Sequence, residues 1–250
     1  MAILTDYYTE FFKELDRQGP GDDKYTELAF RLLDPPPDHP RILDVGSGTG
    51  RQSLTLARIA YCEITAVDVF DAFLNILNKR AKKNTLKGTI STRNASMFEL
   101  PFEDQMFDVI WSEGSIYIMG FEKGLKAWKR LLNPGGYLVV SEIVWLQRDI
   151  PEEIRDYWNT VYPEIGTVSE KLAVIETCDY QVLAHMTLPQ YAWEHNYYGL
   201  MEARKKDFLN QYGDVKEARR IVESEMELES NLFKNYKDYY GYVFFIMRKK

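Results

Sequence analysis

The chain has 250 residues, of which 45% are apolar and 28% are charged, and its formal net charge is −7. This composition is that of a globular protein with a sizeable core, which excludes a disordered or fibrous chain. A surface of negative sign repels phosphate backbones, so neither DNA nor RNA is expected as a substrate.

Cysteine usage and the apolar segments set further limits. Cys62 and Cys178 are far apart and lack metal-ligand spacing, so we predict two buried free thiols, no disulfide and no metal site. Residues 1–10 lack a basic region followed by an apolar run, which a secretory signal requires. The longest apolar stretches, such as 242–247, are too short to cross a membrane. We therefore expect a cytoplasmic protein that has no membrane partner.

The first elements are short helices, predicted at residues 5–18 and 22–33 and separated by the Gly-Pro-Gly breaker at 19–21. Residues 34–40 form a proline-rich linker that excludes a helix or a central strand. From residue 41 onward, short apolar strands alternate with amphipathic helices. The predicted strands are 41–45, 63–68, 89–93, 107–112 and 137–142, and the predicted helices are 50–60, 72–83 and 121–132. This alternation indicates a parallel sheet covered on both faces.

After residue 142 the regular alternation ends. The predicted elements there are helices 151–162 and 168–177 and strands 180–187 and 239–248. Between the two strands lies a long segment, 188–236, whose later part is an amphipathic helix. The apolar residues on one side of that helix are Ile221, Val222, Met226, Leu232 and Phe233.

The strongest local signal is the glycine turn, residues 44–50, which follows an apolar strand and opens a helix. Glycine permits positive φ and lets a ligand approach the backbone closely. The start of the helix presents unpaired N–H groups and a partial positive charge, which suit a polar or anionic ligand at the carboxyl edge of the sheet. An ordinary strand–helix turn does not need three alternating glycines, so we predict a ligand site here.

The spacing of these glycines indicates which ligand binds. The dinucleotide fingerprint G-x-G-x-x-G needs a glycine where this chain has Arg51. The spacing is instead G-x-G-x-G, with Asp44 two residues before the first glycine. This pattern resembles the cofactor motif of class I S-adenosylmethionine-dependent methyltransferases. The resemblance implies that Asp68, at the end of the second strand, accepts hydrogen bonds from both ribose hydroxyls of the cofactor.

Later motifs are similar to the same family in the same order. After the third strand comes Asn-Ala-Ser-Met, residues 94–97, where family members often have an acid at the position of Ser96 that contacts the adenine amino group. The resemblance implies that Ser96 accepts one bond there, that Met97 supplies a backbone N–H, and that Val69 or Phe70 packs on the ring. Motifs at 100–102, 107–111 and 133–136 extend the resemblance over residues 40–145. More narrowly, the chain resembles the ubiquinone/menaquinone-biosynthesis-type subgroup.

The resemblance implies a doubly wound, mostly parallel seven-stranded α/β sheet of Rossmann-like type, with the last strand antiparallel and a helical lid. We expect one domain, with an N-terminal lid (1–40), a cofactor-binding core (41–187), a helical cap (188–236) and a final strand (237–250). The expected cofactor is S-adenosylmethionine. The residues assigned to its binding are Arg17, Asp44, Gly46, Ser47, Gly48, Gly50, Asp68, Val69, Ser96, Met97 and Glu113.

Three residues are candidates for catalysis. Glu113 follows the fourth strand at the sheet edge, where it could hold the methionine ammonium of the cofactor, orient a substrate amine or act as a base. His195 is a candidate general base, although a structural histidine is the alternative. Tyr117 belongs to a group of aromatic residues that either closes over a substrate or fills the core of the cap. The other members of this aromatic group are Tyr7, Tyr8, Trp193, Tyr197 and Tyr198.

The sequence therefore predicts a methyltransferase that acts on a small-molecule acceptor by in-line transfer. One alternative is an NAD(P)-dependent oxidoreductase, which also uses a glycine turn and an acid after the second strand. The other is a non-catalytic S-adenosylmethionine-binding protein that has kept the fold without the chemistry.

Overall fold

Eight strands form one sheet in a computed structural model that describes residues 6–250, apart from the side chains of residues 224 and 225. The strands are β1 (Arg41–Val45), β2 (Glu63–Asp68), β3 (Thr89–Asn94), β4 (Phe107–Glu113), β5 (Leu132–Trp145), β6 (Gly166–Thr167), β7 (Tyr180–Thr187) and β8 (Tyr240–Lys249). Their order across the sheet is β3-β2-β1-β4-β5-β8-β7, and the two-residue β6 pairs with β5.

The direction of the strands confirms the predicted fold. Neighbours from β3 to β5 are parallel, whereas β8 runs antiparallel to both β5 and β7. Seven main strands with an antiparallel last strand were predicted, and the short β6 was not. The sheet order reverses between β1 and β4, and a crevice at the carboxyl ends of strands is expected at such a switch point.

Helices cover both faces of the sheet, and further helices lie between the last two strands in the chain. They are α1 (Asp6–Phe12), α2 (Asp23–Arg31), α3 (Arg51–Ile59), α4 (Asp71–Lys83), α5 (Phe121–Lys129), α6 (Glu152–Val161), α7 (Val168–Thr177), α8 (Gln190–Trp193), α9 (Gly199–Tyr212), α10 (Lys216–Arg220) and α11 (Glu229–Tyr236). A 3-10 turn spans Ile116–Ile118, and π-helical turns at Glu194–Tyr198 and Ile221–Leu228 connect α8 to α9 and α10 to α11.

Two hydrophobic cores lie on opposite faces of the sheet. In β1, Ile42 packs in the core that contains Leu54 of α3, while the adjacent Leu43 packs in the core that contains Leu125 and Trp128 of α5. Consecutive side chains of a strand point to opposite faces, so a central strand needs apolar residues at successive positions. This explains why the central strands appear in the sequence as continuous apolar runs.

The predicted first helix is wrong in its extent. It was placed at 5–18, but α1 ends at Phe12, and residue 5 lies outside the described residues. The carbonyl of Leu15 accepts hydrogen bonds from the side chains of Gln18 and Thr49, and that of Asp16 accepts from Thr49 and Arg80. These side-chain donors hold residues 13–18 in a loop over the glycine turn instead of a helix.

The boundary between α5 and β5 also differs from the prediction. The helix was expected to reach Leu132, but it ends at Lys129, and Leu132 already pairs with Phe107 of β4. Pairing then shifts register and resumes where Tyr137 lies opposite Val109. The turn between them has Gly135 at φ +70°, a conformation that favours glycine, so the chain bends without leaving the sheet.

The cap, residues 188–236, packs on the rest of the chain through its apolar face. The five apolar residues predicted on one side of its later helix are all buried, as are both cysteines. Phe208 of α9 meets Phe11 of α1 edge to face, with ring centroids 5.0 Å apart.

Among the helices of residues 6–250, none combines the length and apolar composition needed to cross a bilayer. The division of the domain into lid, core and cap stays a prediction.

A buried ion pair connects β5 to α7 behind the cap. Lys171 Nζ lies 2.7 Å from Glu142 Oε1, and the hydroxyl of Tyr162 donates to the same oxygen at 2.6 Å. Burial raises the pKa of Glu142, although Lys171 acts in the opposite direction. The ring of Tyr162 meets that of Tyr117 edge to face at 5.9 Å. The pair therefore anchors an aromatic residue that lies against the candidate site.

We expect Lys171→Met to lower the free energy of unfolding by about 3 kcal/mol, because it leaves the Glu142 carboxyl buried without its cation. Urea unfolding at pH 7 measures the change. Lys126→Met, which removes the exposed pair with Glu122, should lower the free energy of unfolding far less. Adding Glu142→Gln to Lys171→Met should recover part of the lost free energy of unfolding. Equal losses for Lys171→Met and Lys126→Met would contradict the prediction.

Candidate functional site

A cavity of about 340 Å³ opens at the carboxyl ends of β1, β2 and β4. Its wall contains most of the residues predicted to bind the cofactor, together with Tyr117. Those predicted residues are Arg17, Gly46, Ser47, Gly48, Asp68, Val69, Ser96, Met97 and Glu113. Asp44, Gly50 and His195 do not line the cavity. The structure therefore brings together residues that are up to 100 positions apart in the chain.

The glycine turn forms the floor of this cavity. Gly46, Gly48 and Gly50 have φ of +71°, +55° and +82°, a region in which side chains are strained. A Cβ at Gly46 would collide with Ser115, and one at Gly48 would collide with Gln18. Glycine is required at position 50 for a different reason, because a Cβ there would collide with Leu77 of α4. Its role is thus helix packing, and the prediction that it contacts the cofactor has no support from this position.

Ser47 provides an unsatisfied polar group at the cavity. Its hydroxyl oxygen is buried and has no hydrogen-bond partner within the part of the chain that the structure describes. Buried polar atoms are nearly always paired in folded proteins, so an orphan beside a cavity marks a place for a polar ligand group. The residues here therefore fit a ligand with polar groups at the glycine turn.

Asp68 ends β2 and holds the turn from the side. Its Oδ2 accepts from the backbone N–H of Gly48 at 2.8 Å, and its Oδ1 accepts from that of Phe70 at 3.0 Å. Burial raises the pKa of Asp68, and the backbone donors oppose the shift. A carboxylate fixed in this way still has lone pairs to accept hydroxyl donors from a ligand.

Asp44 lies beneath the turn, fully buried, and not in the cavity wall. Ser53 Oγ donates to it at 2.5 Å, and Gln52 Nε2 donates to it at 3.2 Å. Burial raises the pKa of Asp44 to about 7, and these two donors oppose the shift. Because both donors belong to α3, the position supports a role in fixing the start of that helix instead of the predicted direct contact with the cofactor.

An apolar wall lies beside Asp68. Val69, Phe98 and Ile118 are about half exposed and surround the mouth of the cavity. Ser96 Oγ accepts from the N–H of Phe98 at 3.3 Å, and the carbonyl of Met97 accepts from Trp128 Nε1 at 3.1 Å. Exposed apolar side chains around a concave surface suit a flat, partly apolar ligand group.

Glu113 is held by donors from three directions. Thr26 Oγ1 donates at 2.7 Å, Trp111 Nε1 at 2.9 Å and Arg17 Nη1 at 3.2 Å. Arg17 in turn donates to Asp23 at 2.7 Å. The carboxylate of Glu113 is thus occupied in fixing Arg17 at the cavity. This favours a positioning role over the action of a base.

Two of these partners, Thr26 and Asp23, were not found from the sequence. They lie on α2, before the proline-rich linker, and no motif or spacing distinguishes them from the polar face of any helix. Gln18 was missed as a site residue for the same reason. Its Oε1 accepts from the N–H of Thr49 at 2.7 Å, while its Nε2 donates to the carbonyl of Phe12 at 2.9 Å.

The N-terminal segment is fastened over the cavity. Arg80 Nη1 donates to Thr49 Oγ1 at 2.9 Å, and Arg80 Nη2 donates to Asp16 Oδ1 at 3.1 Å. From the cap, Asn196 Nδ2 donates to the carbonyl of Gly21 at 3.0 Å and to Asp22 Oδ2 at 2.9 Å. The segment and the cap therefore meet above the carboxyl edge of the sheet.

A second, smaller chamber of about 90 Å³ adjoins the cavity, and the two share residues 18–20, Gly114 and Tyr117 as walls. Trp193, Tyr197 and Tyr198 of the cap line it, so the structure places these predicted aromatic residues beside the cavity. We call it the aromatic chamber.

His195 is the predicted catalytic residue that the structure does not bring to the site. It lies on the same π-helical turn as Tyr197 and Tyr198, but its side chain is exposed and lines neither space. The two tyrosines occupy the inner side of that turn. His195 therefore lies away from both spaces in this structure, and its role as a general base stays a prediction.

Comparison with known proteins gives consistent similarities. Residues 43–140 match the family described as "Methyltransferase domain". The chain is 30% identical over 123 residues to the methyltransferase GfsG of Streptomyces halstedii, a match that covers 49% of this chain and 44% of that protein. It is 26% identical over 182 residues to the ubiquinone/menaquinone biosynthesis C-methyltransferase UbiE of Idiomarina loihiensis, covering 70% of each. The chain thus spans less than half the length of the first relative.

A solved structure has the same fold over the whole chain. The S-adenosylmethionine-dependent methyltransferase of Geobacter sulfurreducens, in complex with S-adenosylhomocysteine, superposes with a TM-score of 0.83 at 20% identity, covering 100% of both chains. At this identity the likeness concerns the fold.

The raised pKa of Asp44 makes stability depend on pH. The folded value of about 7 exceeds the ordinary value of 3.8, so the folded state binds the proton more tightly, and the stabilisation is lost as the pH rises through 7. Between pH 5 and pH 8 we expect a loss on the order of 3 kcal/mol from this group. Urea unfolding across that range measures it.

Asp44→Asn should flatten this pH dependence, because the amide does not titrate. Asp38→Asn, at a highly exposed carboxyl, is the matched control and should leave the pH dependence as in the parent protein. An equal slope in the parent protein and in a folded Asp44→Asn variant would contradict the assignment.

Proposed function

We propose that this chain is a class I S-adenosylmethionine-dependent methyltransferase, like the proteins that it resembles, and that it transfers a methyl group from that cofactor to a small-molecule acceptor. The observation that supports this most is the pair of adjoining spaces. The cavity contains the glycine turn and Asp68, and the aromatic chamber adjoins it through Gly114 and Tyr117. One space is suited to the cofactor and the other to an acceptor.

The residues of the cavity fit S-adenosylmethionine in order along its wall. Asp68 would accept from the ribose hydroxyls, since a carboxylate can accept two charge-assisted bonds at once. Val69, Phe70 and Met97 would pack on the adenine, with Ser96 at its edge. The Ser47 hydroxyl and the adjacent backbone would take polar groups of the methionine part, near which Arg17 and Glu113 form their ion pair at 3.2 Å.

S-adenosylmethionine, when bound, supplies a methyl group on a positively charged sulfur, so the leaving group is already activated. The chain itself then has to position the acceptor and exclude water. The fastening of residues 13–21 by Arg80, Gln18 and Asn196 supports the second task. We assign Tyr117, which lines both spaces, to acceptor positioning, and Glu113 to holding Arg17 in place.

The two alternatives are less consistent with the site. In a nicotinamide enzyme the third glycine of the fingerprint would stand at Arg51, whose guanidinium here binds Asp23 at 2.8 and 2.9 Å and so contributes to fixing α2. A non-catalytic binding protein needs only the cavity, whereas this chain has a second chamber beside it. Turnover is the measurement that separates an enzyme from a binding protein.

Asp68→Ala should weaken the binding of S-adenosylhomocysteine at least tenfold, about 1.4 kcal/mol, because both ribose contacts are lost. Isothermal titration calorimetry measures the dissociation constant. The control is Asp71→Ala, which removes a nearby carboxylate that binds Asn94 and does not line the cavity. The dissociation constant of this variant for S-adenosylhomocysteine should change less than twofold. An unchanged constant in a folded Asp68→Ala variant would show that the assignment is wrong.

The activity is tested by release of S-adenosylhomocysteine from S-adenosylmethionine in the presence of amines, phenols, quinols and thiols. We expect turnover with at least one class, detected with mass-spectrometric identification of the methylated product. Calorimetry with NAD is the companion measurement. Binding of NAD without binding of either sulfur compound would overturn the proposed function.

A further inference from the structure

We propose that the acceptor is a small amine that also has a hydroxyl or carboxylate oxygen, and that its nitrogen is held in the aromatic chamber beside Glu229. This inference rests on the proposed function, because it names the acceptor of that same site.

Aromatic rings dominate the lining of the chamber. Six of them come from four separate elements, namely Tyr157, Trp158, Trp193, Tyr197, Tyr198 and Tyr242. They also pack on one another, as in the pair Trp193 and Tyr242, whose centroids are 4.8 Å apart. A cation near the faces of such rings is attracted by their negative π surface, most strongly where water is excluded. Rings fixed by mutual packing offer this surface without reorganisation.

The charge of the chamber has one sign. Glu229 supplies the one carboxylate among the described lining residues, which include no lysine, arginine or histidine. Burial raises the pKa values of Tyr197, Tyr198 and Tyr242 well above their ordinary range, so these phenols stay neutral. The Tyr157 hydroxyl donates to Glu229 at 3.4 Å. A single negative charge among neutral rings favours a cationic occupant.

Two indole groups indicate an oxygen on the same acceptor. Both Trp158 Nε1 and Trp193 Nε1 are buried and lack a hydrogen-bond partner within the described part of the chain. Buried N–H groups are rarely left unpaired in folded proteins, so such donors favour an occupant that accepts hydrogen bonds from them. An ammonium group accepts no hydrogen bond. The acceptor therefore needs an oxygen as well, which a hydrocarbon or a simple alkylamine lacks.

The chemistry of transfer to an amine matches these surroundings. The lone pair of the neutral nitrogen forms the new N–C bond while the S–C bond breaks, and the electrons of the broken bond remain on sulfur. The positive charge moves from sulfur to nitrogen. A tertiary amine becomes a quaternary ammonium without losing a proton, whereas a primary or secondary amine afterwards releases one proton to water. Aromatic faces and Glu229 stabilise the charge where it develops, which favours the transition state.

The first experiment compares choline with 3,3-dimethylbutan-1-ol, its neutral carbon isostere, by calorimetry on the protein saturated with S-adenosylhomocysteine. The two probes share shape and hydroxyl group and differ in the charge of one atom. We expect choline to bind at least tenfold more tightly. Equal affinities, or tighter binding of the neutral alcohol, would overturn the proposal and indicate a neutral acceptor such as a phenol or quinol.

Variants then locate the binding of the cation. Glu229→Gln should weaken the binding of choline at least fivefold and leave the binding of the alcohol unchanged. The control is Glu223→Gln, at an exposed acid of the same helical run, which should change the binding of neither probe. Tyr157→Leu should weaken choline similarly, and Tyr157→Phe, which keeps the ring, should retain most of the affinity. If choline binds these variants as tightly as the parent protein, the aromatic chamber is not its site and the proposal fails.

The same titrations separate this proposal from the proposed function. If S-adenosylhomocysteine binds but the protein does not discriminate choline from its isostere, the amine acceptor is wrong and the proposed methyl transfer to another acceptor stands. If S-adenosylhomocysteine does not bind at all, the proposed function is wrong, and this inference fails with it.

Discussion

The hydrogen bond from the Gly48 N–H to the Asp68 carboxylate, 2.8 Å long, joins the turn after β1 to the end of β2. It forms only because the turn adopts positive φ, which brings the backbone N–H groups round to the sheet edge. The same carboxylate lines the cavity, so the contact that shapes the turn also fixes the position of a carboxylate in the cavity wall. The floor of the cavity, the start of α3 and the position of Asp68 all depend on this bond.

Buried carboxylates recur around this point, and each is supplied with donors. Asp44 has Ser53 and Gln52, Glu142 has Lys171 and Tyr162, and Glu113 has Arg17, Thr26 and Trp111. An isolated buried charge is costly, so these donors are a condition of the fold. Each group also joins separate elements of the fold. The polar residues around the site therefore determine how α2, α3 and α7 sit on the sheet.

Two segments cover the carboxyl edge of the sheet, one near the start of the chain and one in the cap. Residues 13–21 cover the glycine turn, and the cap reaches the same loop through Asn196. Between them the aromatic chamber adjoins the cavity, with Tyr117 lining both. The cap thus supplies the rings of the chamber, and the N-terminal segment covers the glycine turn.

The sequence by itself determined the existence of the seven main strands, the sheet class and the glycine turn with an acid after the second strand, because periodicity and turn chemistry are local properties of consecutive residues. Tertiary structure alone decided the rest. Thr26 reached Glu113, Asp23 reached Arg17, Gln18 reached Thr49, and Trp158 reached the chamber through the packing of separate elements. The orientation of one helical turn places His195 outside the wall of the cavity, and Gly50 packs against Leu77 of a neighbouring helix. Which side chains meet depends on how elements pack, and no spacing in the sequence encodes that.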